Sequence, residues 1–142
     1  RFINFSSGAD FDKKKHININ NHNLEKSYPI QPYDMSKNII SRVLKNSPRC
    51  YNFRIYGVFG IDEAEDRFVT SNIKRYKEHN PIEIHQNRYW DFFYIKDLIN
   101  IIKYYIDNPR DLDYLGNKSY GVNLPIELIG LKKGLEEIYN AL

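Results

Sequence analysis

The sequence predicts an α/β fold with parallel strands. Three observations carry this expectation. An apolar run, Phe2-Ile3-Asn4-Phe5, stops at Ser6-Ser7-Gly8, as a buried strand stops at a site-forming loop. A second run, Asn52-Phe53-Arg54-Ile55-Tyr56, stops at Gly57. Helical periodicity follows these runs, most clearly where Leu98, Ile101, Ile102, Tyr105 and Ile106 fall on one face. Strands alternating with helices favour parallel pairing through crossovers.

In chain order, residues 2–6 read as a strand. Residues 8–32 form a polar loop rich in Asn, Lys and His, long enough to be functional or mobile. Residues 33–46 read as a helix with Met35, Ile39, Ile40, Val43 and Leu44 on one side, ended by Ser47-Pro48. Residues 51–56 make the next strand. A helix over 65–78 turns Phe68, Val69, Ile73 and Tyr76 inward, and Asn80-Pro81 stops it. Residues 82–84 and 89–94 read as short strands. The helix over 96–107 closes at Asn108-Pro109. Residues 119–124 suit another strand, and 126–142 a final helix weakened by Gly130 and Gly134. There is no internal repeat.

Bulk properties bound the function. A chain of 142 residues has one domain as its prior and enough length to bury a core. Hydrophobic content of 42% with 27% charged residues is that of a soluble globular protein. No apolar run approaches a membrane span, and no signal segment opens the chain. The single Cys50 excludes an internal disulfide framework and fits a reducing compartment. The net charge of +3 is modest and dispersed, apart from Lys13-Lys14-Lys15, which reads as a solvated loop. The four histidines, His16, His22, His79 and His85, lack metal-ligand spacing, so no metal is expected. The aromatic residues fall at core spacing rather than in base-stacking order, so neither nucleic acid nor membrane is an expected partner.

The chemistry centres on Tyr33-Asp34-Met35-Ser36-Lys37. On a helix, Tyr33 and Lys37 share one face a turn apart. A positive charge beside a phenol favours its ionised form, so the pair is a plausible proton-transfer device. The spacing alone is weak, because the chain holds 12 Tyr and 13 Lys and a second Tyr-x-x-x-Lys, Tyr114 with Lys118, reads as a turn. Context separates the two. The order strand-Ser6-Ser7, then Tyr33-x-x-x-Lys37, then Arg54-Ile55-Tyr56-Gly57, then Asp91-Phe92-Phe93-Tyr94-Ile95-Lys96-Asp97-Leu98 resembles the extended short-chain dehydrogenases. These are the NAD(P)-dependent sugar epimerase/dehydratase family. The resemblance runs from about residue 2 to about residue 108, and its specificity lies in order and spacing.

The resemblance implies the later half of a Rossmann-type parallel sheet with a small interwoven substrate-binding portion. Residues 1–63 would be the later half of the NAD(P)-binding domain, and 64–142 the substrate-binding portion interleaved with the last Rossmann elements. The chain opens on Arg1 and holds no Gly-x-x-Gly-x-x-Gly or Gly-x-Gly-x-x-Gly. It therefore reads as part of a longer enzyme and is expected to be inactive alone. Ser7, Tyr33 and Lys37 would be catalytic. Ser7 is chosen over Ser6 because it lies four before Phe11, where the family usually has a Tyr. Ser7 would orient the substrate oxygen, Tyr33 would move its proton, and Lys37 would assist the phenol's ionisation and bind the nicotinamide ribose. Tyr56, Gly57 and Val58 would flank the nicotinamide of NAD or NADP, with Gly57 standing where the family often has Asn. Arg67 and Arg88 are candidate contacts to a nucleotide-sugar diphosphate, although the family's usual Arg position is Trp90 here. Asp97 is expected to cap or support its helix. Ser7 is followed by Gly8 and Ala9 where the family's dehydratases carry acids, which favours an epimerase or reductase; Asp10 and Asp12 lie close enough to weaken that choice. A cytoplasmic homodimer is expected. The rival reading is a catalytically inactive remnant or binding module of the same fold.

Overall fold

The computed structural model describes residues 1–11, 24–85, 92–111 and 130–142. They form an α/β protein of two compact units, Arg1–Tyr56 and Gly57–Leu142.

In the first unit, strand β1 (Phe2–Ser7) pairs in parallel with β2 (Cys50–Ile55), in a register running from Phe2 opposite Cys50 to Ser7 opposite Ile55. Helix α1 (Pro32–Lys45) is the crossover between them. Pro32 suits the first helical turn, where its missing N–H has no partner to lose, and Asp34 complements the positive helix end. Gly8–Asp10 form a 3-10 turn off β1, and Leu24–Lys26 form another.

The packing of α1 departs from expectation. Its buried residues are Asp34, Asn38 and Ser41, a polar stripe at helical spacing. Met35, Ile39, Ile40 and Val43 are exposed, Val43 by 63%. The reason lies opposite the helix. Asn4 and Ser6 of β1 share a face with Asn52 and Arg54 of β2, and that polar face meets the polar stripe through hydrogen bonds.

The second unit opens with β3 (Val58–Phe59), parallel to the short β4 (Phe93–Tyr94). Helices α2 (Phe68–Lys77), α3 (Ile95–Asp107) and α4 (Gly130–Ala141) complete its described elements. Phe59, Val69, Tyr94 and Ile138 form its core, with Ile73, Ile95 and Leu135 packed against it. Gly134 is part of this packing: a Cβ there would lie 2.7 Å from the Tyr94 ring. The glycine that weakens α4 as a helix is what lets α4 approach β4.

Two expectations are corrected here. Phe68 and Tyr76 are exposed rather than inward; they stack on Phe92 and lean on Tyr139, and they line an open apolar cavity of about 600 Å³ between α2 and α4. Residues 82–84 form no strand: the Asn72 side chain donates to the Glu83 carbonyl (3.2 Å) and accepts from its N–H (2.7 Å), taking the place of a partner strand. Asp97, in the first turn of α3, is buried and accepts from the Gly130 amide at 2.8 Å, anchoring the start of α4. The expected strands over 119–124 and 89–91 lie outside the described residues.

Candidate active site

The C-terminal end of β1 and the first turns of α1 bring the expected proton-transfer groups into one unit. Tyr33 and Lys37 project from the same face of α1, with the Lys37 ammonium 5.8 Å from the centre of the Tyr33 ring. Tyr33 is 58% exposed, so its phenol is open to a reactant. Lys37 Nζ donates to the Phe5 carbonyl at 3.0 Å, which fixes it beside the end of β1. An ammonium has three donors, and that bond uses one.

The two serines differ in their duties. Ser6 is buried, donates to Asp10 and lies 3.1 Å from the Ser41 hydroxyl. Ser7, half-buried, caps the 3-10 turn by accepting from the Ala9 amide at 3.2 Å. That acceptor role does not consume the hydroxyl's own proton. Tyr56 closes this end of the unit. Its exposed ring lies so near Gly8 that a Cβ there would sit 2.5 Å from it, so any side chain at position 8 would displace the ring.

Gly57, Val58 and Arg67 belong to the second unit. Gly57 accepts from the Phe93 amide at 2.8 Å, Val58 starts β3, and Arg67 is exposed at the N-cap of α2. Arg88, Tyr114 and Lys118 lie outside the described residues. The second unit holds another phenol beside an ammonium, Tyr94 with Lys96, of a different character. Tyr94 is buried and donates to Glu137, which Lys96 also contacts. Burial and then the Glu137 hydrogen bond raise the Tyr94 pKa, while the Lys96 and Tyr94 hydrogen bonds lower that of Glu137. This phenol is held protonated as a packing group.

One feature of the site was not foreseen. Asp10 is fully buried and its carboxylate accepts from Ser6, from Ser41 at 2.7 Å and from Arg54 Nε at 2.8 Å. Polar residues at alternate positions of two strands, opposite a polar stripe on a helix, were the available signal, because buried polar groups require partners.

A phenol, an ammonium with two further donors and a serine hydroxyl at a strand end together offer hydrogen bonds and a transferable proton. The sequence supplies no glycine-rich turn for the pyrophosphate. Among the described residues no helix is long and apolar enough to cross a membrane. No curated protein and no solved structure matches the chain. A family does: its sequence model aligns with residues 1–117, most of the chain, and includes β1, α1 and the Tyr33–Lys37 pair. With the fold and this geometry, that match establishes that the chain belongs to the NAD dependent epimerase/dehydratase family.

Proposed function

We propose that this chain carries the proton-transfer groups of an NAD(P)-dependent epimerase or reductase acting on a nucleotide-activated sugar. The observation that carries the reading is the Tyr33–Lys37 pair held beside the Ser7 end of β1 in a chain of this family. When bound, the nicotinamide supplies hydride acceptance and donation. Tyr33 exchanges a proton with the sugar's hydroxyl or ketone oxygen, and Ser7 hydrogen-bonds that same oxygen to orient it. Lys37 keeps a positive charge beside the phenol and offers its remaining donors to the ribose hydroxyls. Tyr56, Gly57 and Val58 flank the nicotinamide, and Arg67 and Arg88 contact the substrate diphosphate.

Epimerase or reductase is preferred to dehydratase, since elimination of water needs an acid facing the sugar. The nearest described carboxylate after Ser7 is Asp10, and its oxygens are engaged by Ser6, Ser41 and Arg54. The protein is read as a homodimer, supported by the apolar stripe of Met35, Ile39, Ile40 and Val43 that α1 leaves exposed.

The test is Tyr33→Phe in the protein that contains this chain. General acid–base catalysis contributes on the order of 10²–10⁴-fold, so turnover should fall by at least about 10²-fold with NAD(P) affinity kept. Tyr114→Phe should leave rates unchanged. Steady-state rates for Tyr33→Phe within a few-fold of the parent would overturn the assignment.

A further inference from the structure

We propose that the buried Asp10, through its ion pair with the solvent-facing Arg54, is a positioning residue that sets the spacing between the Ser7 end of β1 and the α1 face bearing Tyr33 and Lys37. The inference rests on the functional reading above for what the positioned groups do. It rests on geometry alone for the positioning.

An apolar contact tolerates sliding, whereas directional hydrogen bonds fix register. The contact between α1 and the β1–β2 pair is of the second kind. Asp10 sits three residues beyond Ser7 and is wholly buried. Its Oδ2 accepts from the Ser41 hydroxyl at 2.7 Å and from Arg54 Nε at 2.8 Å, and its Oδ1 accepts from Ser6. Its backbone carbonyl accepts from Asn38 Nδ2 at 2.7 Å, one residue after Lys37. One residue therefore ties β1, β2 and two successive turns of α1. The tie continues outward: Asn52 Nδ2 donates to Ser41 Oγ at 2.6 Å, and Asn4 Nδ2 donates to Asn52 Oδ1 at 2.7 Å. The Arg54 guanidinium also lies 5.2 Å from the Phe11 ring, holding the exit of the 3-10 turn.

Stability alone does not account for this arrangement. An ion pair with one partner open to water adds little net stability, because solvent screens the attraction while burying the Asp10 carboxylate costs desolvation. Apolar residues exist on α1, and they face away. What the polar cluster supplies is a fixed distance between the hydroxyl of β1 and the phenol and ammonium of α1. Misplacing reacting groups by about 1 Å can cost about 10²-fold in rate, so the spacing is functionally sensitive.

The test compares the parent with Asp10→Asn and with the paired change Asp10→Asn/Arg54→Gln, both in the protein that contains this chain. Asp10→Asn puts an amide NH2 where the buried carboxylate only accepts, and is open to misfolding; the paired change also removes the Arg54 donor and keeps the variant measurable. Two readouts are taken. Steady-state kinetics of the folded paired variant should show kcat reduced by at least about tenfold with KM changed less than about threefold. Backbone hydrogen exchange should quicken in residues 5–8 and 33–38 together, while α2 is unaffected. A paired variant with parental kcat, or with parental exchange in both segments, overturns the proposal. If the parent shows no NAD(P)-dependent turnover, the functional reading fails by itself. Coupled acceleration of exchange would then still support the positioning role, and its absence would overturn it.

Discussion

Lys37 stands in two contacts at once, the Phe5 carbonyl at 3.0 Å and the Tyr33 ring at 5.8 Å. A surface lysine serving only solubility has no reason to bridge a strand end and a phenol. Lys37→Ala is therefore expected to weaken NAD(P) affinity and lower kcat together. Calorimetry and steady-state rates on the protein containing this chain check both; unchanged affinity with an unmoved pH–rate profile would make Lys37 a surface charge. At this scale the sequence was legible where chemistry is carried by a pair at helical spacing. Tyr33 and Lys37 are identified by four residues of separation and by their flanks. Asp10 was not legible as a structural centre, because its partners come from positions 6, 38, 41 and 54. No local pattern announces a carboxylate whose neighbours are supplied by three other segments.

Among the elements, β1, α1, β2, α2 and α3 lie close to where periodicity and turn residues place them, because each is bounded by its own serine, proline, glycine or asparagine. The orientation of α1 was not legible. Its sequence carries both an apolar and a polar face, and the choice between them is made by Asn4, Ser6, Asn52 and Arg54, residues distant in the chain. The end of α2 gives a sharper case. Asn80 N–H donates to the Arg75 carbonyl at 2.8 Å and His79 N–H to the Tyr76 carbonyl at 3.1 Å, which is the hydrogen-bond pattern of a Schellman close. The residue in the left-handed position is His79, with φ of 58°. A side chain there costs about 1–2 kcal/mol, part of which glycine returns as a larger entropy loss on folding. His79→Gly is expected to stabilise the protein by about 0.5–1 kcal/mol. Chemical denaturation should show a raised midpoint at unchanged slope; a lowered midpoint would mean that the exposed His79 side chain makes a contact worth more than the backbone strain.

For the molecule as a whole, the family match over residues 1–117 and the absence of a glycine-rich turn lead to one further expectation. A dinucleotide's pyrophosphate is held where backbone N–H groups converge at a helix N-terminus behind closely approaching glycines. None of α1, α2 and α3 offers that arrangement. Helix α1 begins with Pro32, which has no N–H to give, behind Gln31. Helix α2 follows the exposed Arg67, and α3 follows the buried Tyr94. What remains in the first unit is the donor set of Ser7, Tyr33 and Lys37, proposed above to serve a ribose and a reacting oxygen rather than a phosphate. The 142-residue chain by itself should therefore bind NAD(P) weakly, with affinity poorer than micromolar. It should also prefer nicotinamide mononucleotide to adenosine diphosphate, because its donors suit the nicotinamide half. Calorimetric titration of the folded chain with NAD, NADP and each half-molecule measures both. Micromolar NAD(P) affinity, or a preference for the adenosine half, would show that this chain grips phosphate by residues other than those its fold presents here.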